Sequence, residues 1–151
     1  MLELLYRTYW AVMFKRAVGV LGDHALAEDA VHEAFIRINK HIKRFEQINP
    51  DERRYLCLTI VKNIALNMVR DNREKEEIPD NLLLNSGDIN LAMDINDAIN
   101  SLDEGHRSVV LLRLRYGFDT FETAKLLGLK PGTVLSRLSR ARKILIKILK
   151  D

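Results

Sequence analysis

Residues 129–142 have the sequence LKPGTVLSRLSRAR, which predicts a tight turn followed by a long amphipathic helix. Apolar residues recur along this helix at steps of four and three, so they share one side of it. These residues are Val134, Leu138, Ala141, Leu145 and Ile148. The opposite side carries basic and hydroxyl side chains, namely Arg140, Lys143, Lys147, Ser136 and Ser139. Because such side chains bind phosphates and base edges, the pattern is typical of a DNA-recognition helix.

The residues just upstream complete a helix-turn-helix pattern. Asp119 and Glu122 have the spacing of a capping box, so a helix should begin at Thr120. Gly128 supplies the left-handed residue that ends such a helix, and Pro131 costs no hydrogen bond at the first position of the next one. A helical hairpin with a solvated basic face has the same pattern, so these residues alone leave both interpretations open.

The charge of the chain is unevenly distributed. The 151 residues carry a net charge of only +3, yet residues 105–151 contain 11 Lys/Arg and 3 Asp/Glu. Residues 71–104 contain 2 Lys/Arg and 10 Asp/Glu, and residues 1–70 contain 11 and 8. A basic C-terminal segment that follows an acidic connector is expected when one part of a protein binds a polyanion.

The composition favours an all-α protein of the reducing cytoplasm. Helical periodicity dominates, and the single Cys57 excludes a disulfide framework and a cysteine-based zinc site. The sequence contains neither an apolar run long enough to span a membrane nor a signal-peptide pattern. The four His residues are scattered, and we identify no phosphate-binding loop or nucleophile motif. We therefore expect no enzyme, no catalytic residues, no cofactor and no metal.

The periodicity divides the chain into two helical halves. In the first half we expect helices at 2–21, 25–45 and 51–73, separated by breaks at Gly22 and Pro50. In the second half we expect helices at 91–101, 104–116, 120–127 and 131–149. Between them, residues 74–90 contain Pro79 and clustered acids, which predict a flexible acidic linker.

Three stretches resemble signatures of bacterial RNA polymerase sigma factors of the extracytoplasmic-function (ECF) group. They are AEDAVHEAF at 27–35, IVKNIALN at 60–67 and GTVLSRLSRAR at 132–142. They occur in the order and spacing of that family, and only residues 73–91 lack a signature. The resemblance implies a three-helix region 2 domain at 1–73, the linker at 74–90, and a four-helix region 4 domain with a helix-turn-helix at 91–151.

The resemblance also implies a function for each signature. In this family the helix that carries the first signature docks on the clamp of core RNA polymerase, which assigns polymerase binding to Glu28, Asp29, His32 and Glu33. The helix that carries the second signature opens the minus-ten element of the promoter and holds a flipped base, which assigns DNA contacts to Lys62, Asn63, Asn67 and Arg70. The third contacts the minus-thirty-five duplex, and the implied residues are Thr133, Leu135, Ser136, Arg137, Arg140, Arg142 and Lys143.

Three of these positions depart from the family pattern. His32 stands where the family usually has Gln, Asn67 where it has Asp, and Leu135 where it has Lys. Leu135 lies on the flank of the recognition helix, so it either contacts a thymine methyl in the major groove or packs against a partner or a neighbouring helix.

Two other functions remain open from the sequence. A helix-turn-helix regulator would bind duplex DNA without RNA polymerase, and a helical phosphotransfer adaptor would accept a phosphate on His32. The basic C-terminal segment argues against the adaptor. The resemblance also leaves room for an anti-sigma factor as a further partner, which the sequence does not identify.

Overall fold

The computed structural model describes residues 2–71 and 94–150, and every regular element in these two ranges is helical. The linker predicted at 74–90 lies outside the described residues, as do the domain boundaries at 73 and 91. The chain divides into two compact units: one contains residues 1–76 together with Lys125–Gly128, and the other contains the remaining residues of the C-terminal half. No helix in the described ranges is long and apolar enough to cross a membrane.

The described part of the N-terminal domain contains four helices, where the sequence predicts three. They are α1 (Leu2–Leu21), α2 (His24–Asn39), α3 (Ile42–Glu46) and α4 (Pro50–Asp71). The prediction of one helix over 25–45 is wrong, because α2 ends at Asn39 and a turn separates it from α3. Phe45 and Ile48, which lie beyond this turn, are both buried.

The core of the N-terminal domain lies between α1, α2 and α4, which pack against one another. The side chains that α1 buries lie at steps of four and are Leu5, Tyr9, Met13 and Ala17. Outside this stripe, the ring of Trp10 stacks on that of Phe14, with 4.8 Å between the ring centroids. At the end of α1, Gly22 has a φ of +65°, and Asp23 Oδ1 begins α2 by accepting the backbone N–H of Leu26 at 2.9 Å.

The described part of the C-terminal domain also contains four helices, in agreement with the prediction. They are α5 (Ile95–Ser101), α6 (Glu104–Val110), α7 (Thr120–Leu127) and α8 (Pro131–Lys150). The last turn of the helix predicted at 104–116 is wider than an α-helix: α6 continues as a π-helical segment at Leu111–Arg115, called here the π-turn. Among the described helices of this domain, α8 packs most extensively against α6 and also against α5.

Candidate nucleic-acid interface

The helix-turn-helix predicted from the sequence is formed by α7 and α8. Asp119 Oδ1 accepts the backbone N–H of Glu122 at 2.8 Å, and Glu122 Oε1 accepts the backbone N–H of Asp119 at 3.0 Å. The predicted capping box is therefore confirmed, and α7 begins at Thr120 as expected. Gly128 follows α7 with a φ of +66°, and Pro131 is the first residue of α8.

The two sides of α8 differ as the sequence predicts. The five apolar residues of the predicted stripe are all buried, which fixes the rotation of α8 about its axis. The basic and hydroxyl residues exposed on the rest of the helix are Ser139, Arg140, Arg142, Lys143, Lys147 and Lys150. Thr133 and Ser136 lie in its first two turns and are partly exposed, and the hydroxyl of Ser136 donates to the carbonyl of Thr133 at 3.2 Å. The amino-terminal half of α8 thus presents polar and basic groups together.

Arg137 does not belong to this exposed set. The sequence assigns it to phosphate contacts, but only 8% of the residue is exposed. It lies three residues after Val134 and four before Ala141, so it shares the packed side of the helix. The structure therefore places Arg137 on the packed side of α8 and not among its exposed basic residues, since the long aliphatic stem of Arg allows it to pack there.

Leu135 lies on the flank of α8, between its packed and its basic sides, and is 54% exposed. Arg142 follows it by seven residues, two helical turns later, and is also exposed. Ile146 continues the same flank and is 55% exposed. The structure therefore places Leu135 on the surface of the helix-turn-helix, beside the basic side chains and outside the core.

The residues assigned to the minus-ten element lie along one stripe of α4. Asn63, Asn67 and Arg70 follow one another at steps of four and three, and Lys62 adjoins Asn63. All four are partly exposed. The stripe thus carries two amide groups, which can donate to and accept from base edges, between two cationic groups.

The residues assigned to polymerase binding form an acidic face on α2. Glu28, Asp29 and His32 are exposed, and Glu33 is partly exposed. The carboxylate of Glu33 accepts a hydrogen bond from Nε of Arg37 at 2.9 Å, one turn later on the same helix. The four predicted residues therefore lie together, and Glu33 already has an intrahelical partner.

Sequence reasoning missed an apolar residue that extends this acidic face. Ile36 lies three residues after Glu33 and four after His32, and it is 55% exposed. A signal for it exists in the sequence, since Ile36 falls between the positions of the buried stripe that includes Phe35 and Ile38. An exposed Ile beside carboxylates gives α2 a mixed acidic and apolar surface.

Comparison with known proteins identifies both domains. The model of sigma-70 region 2 matches residues 5–75, and the model of sigma-70 region 4 matches residues 92–145. The ECF RNA polymerase sigma factor SigL of Mycobacterium tuberculosis is 29% identical over 161 residues, covering 96% of this chain and 86% of SigL. The ECF RNA polymerase sigma factor SigX of Bacillus subtilis is 25% identical, covering 96% of this chain and 81% of SigX.

A solved structure is also similar in sequence over the length of the chain. It is the sigma factor RpoE from Bartonella quintana in complex with the anti-sigma factor NepR, with 25% identity and a TM-score of 0.40. The similarity covers 98% of this chain and 96% of that one.

Proposed function

The chain belongs to the sigma-70 family as an RNA polymerase sigma factor of the ECF group that directs transcription initiation, and from this membership we propose which of its surfaces performs each step. Because the chain belongs to this family, we adopt the sigma-factor function in place of the two others left open by the sequence, the independent regulator and the phosphotransfer adaptor. In the proposal, residues 1–73 bind core polymerase and open the minus-ten element, residues 74–90 connect, and residues 91–151 bind the minus-thirty-five duplex.

Recognition of the minus-thirty-five element is assigned to the exposed side of α8, and the two-sidedness of this helix is the observation that carries the proposal. Its apolar stripe is buried, so the basic side of the helix-turn-helix faces outward. Thr133 and Ser136, in the first two turns, reach base edges, while Arg140, Arg142 and Lys143 contact phosphates. Arg137 is left out because it is buried.

Strand opening is assigned to the polar stripe of α4. A base extruded from the duplex must be held by groups that match its hydrogen-bonding edge, and the amides of Asn63 and Asn67 offer both donors and acceptors. Lys62 and Arg70 supply the positive charge that keeps the single-stranded backbone nearby.

Docking on core polymerase is assigned to α2. Its exposed carboxylates favour a basic partner surface, and Ile36 adds apolar area that is covered on binding. The chain itself carries out no chemical reaction in this proposal: it acts in the cytoplasm as a dissociable initiation subunit, with core polymerase and promoter DNA as its partners.

The test is to compare two substitutions in reconstituted holoenzyme. Asn63→Ala should leave polymerase binding and closed-complex formation intact but reduce strand opening, measured as permanganate reactivity of thymines at the minus-ten element. Asp29→Lys should instead weaken association with core polymerase, measured by co-sedimentation. Glu3→Lys, which places the same charge change at an exposed position of α1, is the control for Asp29→Lys.

The two variants should therefore fail at different steps. If both fail at polymerase binding, or both at strand opening, the assignment of separate steps to α2 and α4 is wrong. If the wild-type chain does not increase promoter-specific transcripts above those of core polymerase alone, the proposal fails as a whole.

A further inference from the structure

The π-turn at the end of α6 binds the backbone of Phe118, the residue directly before the cap of α7. The backbone N–H of Tyr116 donates to the carbonyl of Leu111 at 3.0 Å, five residues earlier, so the turn contains one more residue than an α-helical turn. The chain then reverses through Gly117, whose φ of +73° is accessible to glycine at little cost. Phe118 follows, with none of its surface exposed.

Both backbone groups of Phe118 are bound to the turn it has just left. Its N–H donates to the carbonyl of Leu112 at 2.9 Å, and its carbonyl accepts a hydrogen bond from Nη1 of Arg113 at 3.1 Å. The buried Nε of Arg113 has no acceptor among the described residues, and Nη1 of the same guanidinium donates to the carbonyl of Phe118. A hydrogen bond from a charged donor is stronger than one between neutral groups.

This arrangement determines where α7 begins. Phe118 is followed directly by Asp119, the residue whose carboxylate caps α7. Within α7, the side chains of Thr123, Ala124, Leu126 and Leu127 are buried, so α7 is packed along the side that follows its cap. The anchored Phe118 thus holds the backbone that leads into the cap of α7.

We propose that Arg113 is a positioning residue for recognition of the minus-thirty-five element: by holding the carbonyl of Phe118, it fixes the start of α7 and so the orientation of the helix-turn-helix on DNA. Arg113 contacts no DNA in this proposal. The inference rests on the proposed function of α8, and it differs from that function because the group involved is remote from the recognition surface and was not among the predicted residues.

The test uses holoenzyme with two promoters. The first has an intact minus-thirty-five element and is selected from a random library by wild-type holoenzyme. The second is the same promoter with that element scrambled. Arg113→Gln removes the charged donor, and Arg113→Lys keeps a charge and a donor. Lys150→Gln removes the same charge from an exposed position at the end of α8, remote from Phe118, and is the control.

Arg113→Gln should weaken binding to the intact promoter by about fivefold or more, because a buried carbonyl loses a charged partner. Binding to the scrambled promoter and the slope of log K against log salt should not change, since no phosphate contact is lost. Arg113→Lys should recover part of the loss. In the free chain, Arg113→Gln should accelerate amide hydrogen exchange in α7 but not in α8.

Three results would overturn the inference. One is wild-type behaviour of Arg113→Gln on both promoters. Another is equal weakening on both promoters with a salt slope smaller by about 0.9, which would make Arg113 a phosphate contact. The third is equally faster exchange in α7 and α8, which would mean a general loss of domain stability. If wild-type holoenzyme itself does not distinguish the two promoters, the proposed role of α8 fails first.

Discussion

Leu135 is the residue at which this chain departs most visibly from its family on the proposed DNA surface. We expect its exposed side chain to contact a thymine methyl group, because apolar contact is how proteins recognise that group in the major groove. Leu135→Lys should then relax the preference for one base pair of the minus-thirty-five element. It should also steepen the salt dependence of binding by about 0.9, since one phosphate contact is added.

The control for Leu135→Lys is Ile146→Lys, which adds the same charge at an equally exposed position on the same flank of α8. Promoter preference is measured by sequencing the promoters that each holoenzyme selects from a random library. A Leu135→Lys variant with the base preference and salt slope of the wild type would show that Leu135 does not face DNA.

Cys57 is buried in the N-terminal domain, and burial raises the pKa of its thiol to about 12, while the charge of Arg53 has a smaller opposing effect. The unfolded thiol ionises at pH values near 9.0, whereas the folded one stays protonated. This difference contributes stability below pH 9.0 that is lost as the pH rises toward 12. The loss is at most about 1.4 kcal/mol per pH unit.

Cys57→Ala should therefore show a smaller fall in the free energy of unfolding than the wild type between pH 9 and pH 10.5, both measured by urea denaturation. At pH 8, a thiol reagent should modify wild-type Cys57 only as fast as the domain opens. Labelling of the native chain at the rate of the urea-unfolded chain would contradict the buried position.

At the scale of single helices, α7 depends on its capping box. Asp119→Ala removes the acceptor for the backbone N–H of Glu122 and should destabilise α7 by about 1 kcal/mol. Amide hydrogen exchange in α7 should then become roughly fivefold faster. Asp119→Asn keeps an acceptor oxygen at the cap and should retain most of the protection. Equal losses in the two variants would mean that the carboxylate acts by charge and not by capping.

The helices predicted correctly from the sequence are those whose ends are fixed by local chemistry. The bounds of α1 and α7 agree with the prediction because Gly22 and Gly128 adopt positive φ at their ends and Asp119 caps the start of α7. The break between α2 and α3 was missed because α3 begins at Ile42 without a side-chain cap. Its cause is tertiary: the turn allows residues beyond it to be buried.

The candidate site was predicted in the same uneven way. The buried stripe of α8 follows from periodicity alone, and it places Arg140 and Lys143 on the surface. Periodicity did not reveal that Arg137 is buried, because a long side chain can pack its stem at a position that a count of apolar residues treats as polar. Arg113 has no sequence signal at all, since its role arises from the geometry of the π-turn.

At the scale of the whole molecule, the charges of the chain predict an effect of the acidic connector on DNA binding. Residues 74–90, which lie outside the described residues, contain five carboxylates next to a C-terminal segment of net charge +8. Replacing these carboxylates by amides should tighten binding of the full chain to duplex DNA at low salt. The difference in DNA affinity between the two chains should disappear as the ionic strength rises. Salt screens both the repulsion between the carboxylates and DNA phosphates and the attraction of the carboxylates to the basic segment.

The matched control for this replacement is a chain in which the order of residues 74–90 is permuted, since permutation keeps both length and charge. The permuted chain should bind duplex DNA as the wild type does at every salt concentration, measured by fluorescence anisotropy of labelled duplex. Wild-type affinity of the amide variant at low salt would show that the connector does not act through its charge.

The stacked pair of Trp10 and Phe14 has a practical consequence for studying a protein with two domains. Trp10 is the single tryptophan of the sequence, and its ring lies against Phe14 in the N-terminal domain. Fluorescence excited at the long-wavelength edge of the protein's absorption band comes from tryptophan, so here it arises from the N-terminal domain alone. Loss of the helix-turn-helix domain would be silent in fluorescence while it is visible in circular dichroism, so the two signals together resolve the melting of each half without any label.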